Sequence, residues 1–358
     1  MEFNLQAAPK LKCTHPGAAV PNEQDPTTPK PDPRLPIPPG YKLIRPLGAG
    51  GMGLVYLAQR LADNQLVAIK FAKNHQIRLE REFRRLRQLD HPNIVRVFEH
   101  NEHALYPYFI MEYIEGETLD QLRRRQPDQR FALPRLAALF HQICAALEHI
   151  HAHQLIHRDL KPSNIMVVSA GGDLHVKVMD FGLVRPVSTD RKLTLLDAIL
   201  GTPTYTPPEQ FGSTPNLTFH ADLYSVGVLL YEAATGQLPF EGDPDAFAQA
   251  AAGQISSLEA KKNHTTALQR QHIYQTPMSP RQLVSDVPPP LEQLIFHLLA
   301  KRPEDRPPSA AWVGEQLERL TVPSPPESIC PECRRSNRPA AIYCRHCGSL
   351  IHGPLPGD

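Results

Sequence analysis

Between His157 and Asn164 the chain reads His-Arg-Asp-Leu-Lys-Pro-Ser-Asn, placing three chemically complementary side chains within six residues. Asp159 is a carboxylate able to accept a proton from a hydroxyl. Lys161 is a cation able to steady a phosphoryl group in transit, and Asn164 offers an amide oxygen to a hard metal ion. Sixteen residues after Asn164 comes Asp180-Phe181-Gly182, which adds a second metal-binding carboxylate followed by a glycine. These are the groups that phosphoryl transfer requires at one point in space.

Such a constellation needs elements that hold it and elements that hold phosphate. Tyr41-Lys42-Leu43-Ile44 begins a strand, and Leu47 to Leu57 contains Gly48, Gly50 and Gly53 in a G-x-G-x-x-G pattern. Glycines let a hairpin tip lie close over phosphates and present unobstructed backbone N–H groups. The pattern alone fits a plain glycine-rich turn or a dinucleotide-binding loop as well. A dinucleotide loop leads into a helix, whereas Leu54-Val55-Tyr56-Leu57-Ala58 is β-like. It runs through a turn at Asp63-Asn64 to Val67-Ala68-Ile69-Lys70. Between Pro134 and His153, apolar residues recur at helical spacing (Leu136, Leu139, Phe140, Ile143, Leu147, Ile150), predicting a buried helix that leads into the Asp159 loop. His141, His149, His151 and His153 are read as histidines of its polar face, and Cys144 as a small core residue.

Taken together, Val-Ala-Ile-Lys, His-Arg-Asp-Leu-Lys-Pro-Ser-Asn and Asp-Phe-Gly resemble the signature motifs of protein kinases. The wording is similar to that of the bacterial-type, eukaryotic-like (Hanks) serine/threonine class. The resemblance covers about residues 41–320. It implies an α+β, bilobal fold, with an N-lobe of antiparallel sheet plus one helix (39–112), a mainly helical C-lobe (115–320) and ATP in the cleft. It further implies that Asp159 is the base, that Lys161 stabilises the transferred phosphoryl, and that Asn164 and Asp180 hold Mg²⁺. Lys70 positions the α- and β-phosphates, braced by a glutamate on a helix expected over Ile77 to Leu89. Glu80 and Glu82 compete for that role, and the family's spacing before His91-Pro92-Asn93-Ile94-Val95 selects Glu82, although its separation from Lys70 is shorter than the family's usual span.

The same resemblance makes Met111 the gatekeeper, gives the backbone of Glu112 and Ile114 to the adenine edge, and sandwiches the ring with Val55, Ala68 and Met166. Glu117 is a candidate for the ribose. Residues Leu183 to Leu200 become an activation loop in which Ser188, Thr189 and Thr194 are candidate phosphosites, Thr194 first. Arg158 is the arginine that receives the phosphate. Thr202 is expected to bond Asp159 and Lys161, and with Lys161 it argues for Ser/Thr specificity. Pro207 stands where the family has alanine. Glu209 is expected to pair with Arg306 as a buried structural bridge, and Asp222, near the start of the apolar helix Ala221 to Glu232, to accept from the backbone around His157 and Arg158. A pseudokinase scaffold is the rival reading, and the presence of Lys70, Glu82, Asp159, Asn164 and Asp180 speaks against it.

The remaining chain frames this region. Net charge is +1, which gives no general pull toward polyanions. No apolar run reaches the roughly 18 residues of a membrane span, and the start lacks the basic-then-apolar order of a secretory signal. A protein of the cytoplasm, a reducing compartment, is therefore expected. Residues 1–38 are proline-rich and read as a disordered tether, with a ligand for a proline-binding module as the alternative. Residues 254–287 read as a polar insertion without legible chemistry, and 321–329 as a linker. Cys330-x-x-Cys333 and Cys344-x-x-Cys347 are two knuckles ten residues apart, the spacing of a structural Zn²⁺ site. This stretch, 330–351, resembles zinc-ribbon modules. Ile342, Tyr343, Leu350 and Ile351 are expected to pack around the metal. Arg334, Arg335, Arg338 and Arg345 make it basic, so nucleic-acid contact is an open second choice behind protein docking or regulation. The expected partners are ATP and a protein substrate, with no membrane.

Overall fold

The computed structural model describes residues 37–50, 53–72, 87–101, 107–180, 203–211, 217–321, 328–338 and 341–351. They fall into two compact units, one running to His75 and including Glu99–Tyr113, the other comprising Gln76–Phe98 and everything from Ile114 onward.

The first unit is built on a sheet whose strands are β1 (Tyr41–Gly50), β2 (Gly53–Arg60), β3 (Leu66–Ala72), β4 (Val97–Asn101) and β5 (Tyr108–Glu112). Their spatial order is β1-β2-β3-β5-β4, and β4 continues into the second unit. β1 and β2 form an antiparallel hairpin whose last paired residues are Gly50 and Gly53, so the glycine-rich stretch is a hairpin tip. The strands carry runs of consecutive buried residues, at 56–58, 67–69 and 108–111. Tyr56, Val67, Ile69, Phe71 and Ile110 are buried, with edge-on contacts between Phe71 and both Tyr56 and Tyr108. Across β1 and β4, the Tyr41 hydroxyl donates to Glu99 at 2.8 Å.

The second unit contains β6 (Glu117–Thr118), α1 (Leu119–Arg124), α2 (Leu133–Ala152), β7 (Ile165–Ala170), β8 (Asp173–Val178) and α3 (His220–Thr235). It continues with α4 (Asp245–Ala251), α5 (Ser257–Tyr274), α6 (Pro280–Leu283), α7 (Pro289–Leu298) and α8 (Ala310–Thr321). Strands β9 (Ser328–Ile329) and β10 (Ser336–Asn337) belong to the cysteine-rich end. α2 buries the stripe Leu136, Leu139, Phe140, Ile143, Leu147 and Ile150 that its sequence spacing predicts. Every residue of α3 from Ala221 to Thr235 is buried, as befits a helix surrounded by protein rather than lying on a surface. Two glycines permit this. A Cβ at Gly227 would stand 2.7 Å from the Leu298 Cβ of α7, so only glycine allows that close approach. Gly236 ends the helix at φ +78°. Among the described residues no helix is long and apolar enough to cross a membrane.

Three expectations change. Of the helix expected over Ile77 to Leu89 only the last three residues are described, and they are not helical: Arg87 and Gln88 form a turn, while the rest lies outside the described residues. The stretch 254–287, read as a polar insertion, takes shape mostly as α5 and α6. α5 is capped by the Ser256 hydroxyl and seats Ala260, Leu268 and His272 in the core. Its remaining faces are polar, which hid it from a search for amphipathic spacing. Finally, Ile342, Tyr343 and Leu350 do not pack around the cysteines but are exposed.

Candidate active site

The loop between α2 and β7 is fixed from beneath by one carboxylate. Asp222, on α3, is 1% exposed and accepts backbone N–H bonds from His157 and Arg158, both at 2.9 Å. Its Oδ2 also lies 2.8 Å from His151 Nε2. Burial opposes the charge of Asp222, but the bond and field of His151, with the field and backbone bond of His157, outweigh it and hold the carboxyl below its usual range. The His157 ring is itself buried, with Nε2 3.0 Å from the Met179 carbonyl. Arg158 takes φ +66° immediately before Asp159.

Asp159, Lys161 and Asn164 meet there. Lys161 Nζ is 2.8 Å from Asp159 Oδ2. Asn164 Nδ2 donates to the Asp159 carbonyl at 2.7 Å and to Oδ2 at 3.1 Å. With its amide nitrogen committed to Asp159, the amide oxygen is the atom Asn164 could offer to a metal ion. The Met179 N–H donates to the Asn164 backbone carbonyl at 2.9 Å, one residue before Asp180. Asp180 is at φ +55°, a conformation non-glycine residues adopt sparingly and often at functional positions. Asn93 ties this floor to β8: its side chain donates to the Val176 carbonyl at 2.9 Å and its carbonyl accepts from Val178. Met166 lies on β7 opposite Thr118 and Lys177. Glu117 is occupied by an ion pair with Arg125.

In the first unit, pairing register gathers the other candidates on one sheet face. Val55 stands opposite Lys70 and Ala68 opposite Met111. Ala68 and Lys70 are two residues apart on β3, so all four side chains share a face. Gly48 pairs with Val55 nearer the hairpin tip. Glu112 ends β5, and Ile114 follows in extended chain. Glu82, Ser188, Thr189, Thr194 and Thr202 lie outside the described residues.

Behind the loop 203–211, Arg306 places both terminal nitrogens on Glu209 at 2.7 and 2.8 Å. It also donates to the carbonyls of Ala300, His220 and Lys301, and lies over the Tyr224 ring. Two further anchors escaped the sequence reading. The Tyr205 hydroxyl donates to Glu232 at 2.6 Å, and Arg123 pairs with the same carboxylate at 3.0 Å. Burial pushes both the Tyr205 and the Glu232 acidities toward the neutral forms. His272 of α5 meets the Tyr224 hydroxyl at 2.9 Å. The four histidines near the end of α2 do not share one role. His141 faces Glu318, and His149 stacks on His91 and His153, while His151 is buried on Asp222. The signal for His151 was its place four residues after Leu147, in line with the buried stripe.

At the C-terminal end the Sγ atoms of Cys330, Cys333, Cys344 and Cys347 all lie within 4.8 Å of one another. Cys330–Cys347 and Cys333–Cys344 are 3.6 and 3.5 Å apart. Thiolates at about 2.3 Å from a tetrahedral ion would be about 3.8 Å apart, so the donor set and its spacing fit a structural metal.

A fold of this kind, with this loop above it, is what the comparisons with known proteins return. Residues 41–316 match the protein kinase domain model. The serine/threonine-protein kinase PknB of Mycolicibacterium smegmatis is 33% identical over 332 residues, covering 88% of this chain and 49% of the relative. Serine/threonine-protein kinase Pkn1 of Myxococcus xanthus is 33% identical over 286 residues, covering 78% of this chain and 38% of the relative. The solved kinase domain of Mycobacterium tuberculosis PknI superposes with a TM-score of 0.58 at 21% identity, covering 78% of this chain and 96% of that one. The chain belongs to the protein kinase family and has the protein kinase fold; its named bacterial relatives are serine/threonine kinases. It spans about half or less of the length of these two curated relatives.

Proposed function

We propose that the chain is an active, ATP-dependent serine/threonine protein kinase that transfers the γ-phosphoryl of ATP to protein hydroxyls and phosphorylates its own activation segment. The observation that carries this reading is the organisation of Asp159: one carboxylate oxygen held by both Lys161 and Asn164, on a loop whose backbone is fixed by a buried, ionised Asp222. Asp159 orients the substrate hydroxyl and accepts its proton. Lys161 stabilises charge on the phosphoryl in transit. Asn164 and Asp180 would hold Mg²⁺, which when bound neutralises phosphate charge. Lys70, with Glu82 as its partner, would position the α- and β-phosphates beneath the glycine hairpin of Gly48, Gly50 and Gly53. Val55, Ala68 and Met166 would contact the adenine, with Met111 as gatekeeper and the Glu112–Ile114 backbone at its edge. Thr194, Thr189 and Ser188 are the phosphosites this reading selects, with Thr202 beside the Asp159–Lys161 pair. Cys330, Cys333, Cys344 and Cys347 would hold a structural Zn²⁺ in a ribbon tethered to the kinase region, and such a thiolate site suits the reducing cytoplasm.

The test is Mg²⁺ dependence of transfer from ATP to a generic basic protein. Asn164→Ala is expected to raise the Mg²⁺ concentration needed for half-maximal activity and to lower kcat tenfold or more. An unchanged Mg²⁺ profile would remove Asn164 from the metal site.

A further inference from the structure

Eleven large apolar side chains are exposed among the described residues, and four of them, Ile329, Ile342, Tyr343 and Leu350, belong to the cysteine-rich end. The four thiolates explain the fold of this module but not these side chains. Tyr343 and Leu350 are bridged antiparallel, and cross-strand partners project to the same face. They are 65% and 50% exposed and form an apolar face on a frame tied by the thiolates. In the same small module Arg334, Arg335, Arg338 and Arg345 are all exposed, against the single acid Glu332. Tyrosine and arginine together are the types that interface cores concentrate, with acids excluded.

The composition of this face selects its occupant. A second copy would bring four arginines against four arginines, and like charges across an interface are strongly disfavoured. The N-terminal arm, residues 1–36, carries four acids and four bases and offers no complementary charge. Single-stranded nucleic acid would supply the charge, but its bases stack on aromatic rings. Tyr343 is the one phenylalanine, tyrosine or tryptophan of residues 328–351, while Leu350 opposite it and the module's other exposed apolar residues, Ile329 and Ile342, are aliphatic. An acidic polypeptide with interspersed apolar residues satisfies both the charge and the aliphatic surface.

We propose that the Tyr343–Leu350 face is a docking surface for an acidic, apolar-bearing segment of a protein substrate. The docking stands independently of the phosphoryl-transfer reading; calling the partner a substrate rests on it. Tethering a substrate this way raises its effective concentration at the kinase without adding contacts near the reacting hydroxyl.

The experiment uses the full, zinc-loaded chain and three labelled synthetic peptides read by fluorescence anisotropy: acidic residues alternating with Leu and Ile, the same acids without apolar residues, and the apolar residues with Lys in place of the acids. The first is expected to bind at least tenfold tighter than the other two and to weaken with salt. Binding should fall tenfold or more in Tyr343→Ser/Leu350→Ser and persist in Asp159→Asn. The absorption of a Co²⁺-substituted sample establishes that the double variant keeps its four-thiolate site. Equal binding by the double variant overturns the proposal. So does preferred binding of polyuridylate RNA, or a concentration-dependent dimer that the double variant disperses. In a second arm, a serine peptide fused to the acidic-apolar segment should show a KM at least tenfold below that of the unfused peptide, an advantage lost in the double variant at unchanged kcat. Phosphorylation with no such KM difference overturns the substrate assignment. Binding without phosphorylation of either peptide leaves the docking surface standing and removes the kinase reading.

Discussion

Asp222 shows how a single residue sets the geometry of a loop it does not belong to. Its two oxygens receive two backbone N–H groups and an imidazole, and each acceptor position matters. Asp222→Asn keeps the shape but turns an NH₂ toward a group that needs an acceptor. The expected cost is about 1–3 kcal/mol of stability, with kcat reduced tenfold or more, measured by urea unfolding and peptide phosphorylation. Near-normal kcat would show that the loop holds itself. His272 makes a different prediction. Burial, and then the positive charge of Lys301, lower its pKa to about 3. A histidine whose folded pKa lies below its unfolded value of about 6.5 leaves stability intact above pH 6.5. The unfolded chain takes up the proton first, so stability is lost progressively as pH falls from 6.5 toward 3. His272→Asn, which retains an acceptor for the Tyr224 hydroxyl, is expected to flatten this part of the stability–pH curve in thermal melts. The meeting of Asp159, Lys161 and Asn164 was legible because the three lie within six residues of the chain. His151 and His272 were not, because a buried histidine is recognised by what faces it, and Asp222 and Tyr224 are 71 and 48 residues distant.

At the scale of elements, buried charge anchors residues 203–211. Glu209 is held by Arg306, Tyr205 by Glu232, and the Tyr205 carbonyl by Ser225 at 2.8 Å. Three of these partners, Ser225, Glu232 and the Tyr224 ring beneath Arg306, lie on α3. Arg306→Met would strand Glu209 among groups arranged for its charge. The expected loss is roughly 3–5 kcal/mol, seen as a melting temperature lowered by about 2–4 °C per kcal/mol. A shift of under a degree would show that the pair contributes little. Strands β1 to β3 and helices α2 and α3 could be read from β-like residue runs, helical spacing and apolar density. α5 could not, since its anchorage is Ala260, Leu268 and a histidine, and a polar sequence is equally compatible with a loop. Glu232 was hidden for the opposite reason: at the end of an apolar helix it reads as a solvent-facing terminus until Arg123 and Tyr205 are brought to it from elsewhere in the chain.

Across the whole molecule, a kinase region and a four-cysteine module share one chain. The ribbon has too few apolar residues in its interior to fold by burial alone, since Ile342, Tyr343 and Leu350 are outside. Chelation is therefore expected to release about one zinc per chain and to make four additional thiols reactive toward a thiol reagent; fewer than two would argue for disulfides in place of the metal site. The central claim, that Asp159 is the base of an active phosphoryl-transfer site, is tested most directly by incubating the purified chain with radiolabelled ATP and Mg²⁺ beside Asp159→Asn and mapping the label by mass spectrometry. The account predicts label in the unaltered chain alone, on Thr194 or its neighbours and on an added protein substrate. Equal labelling of the Asp159→Asn chain, or no transfer from the unaltered chain to itself or to any supplied substrate, would contradict it.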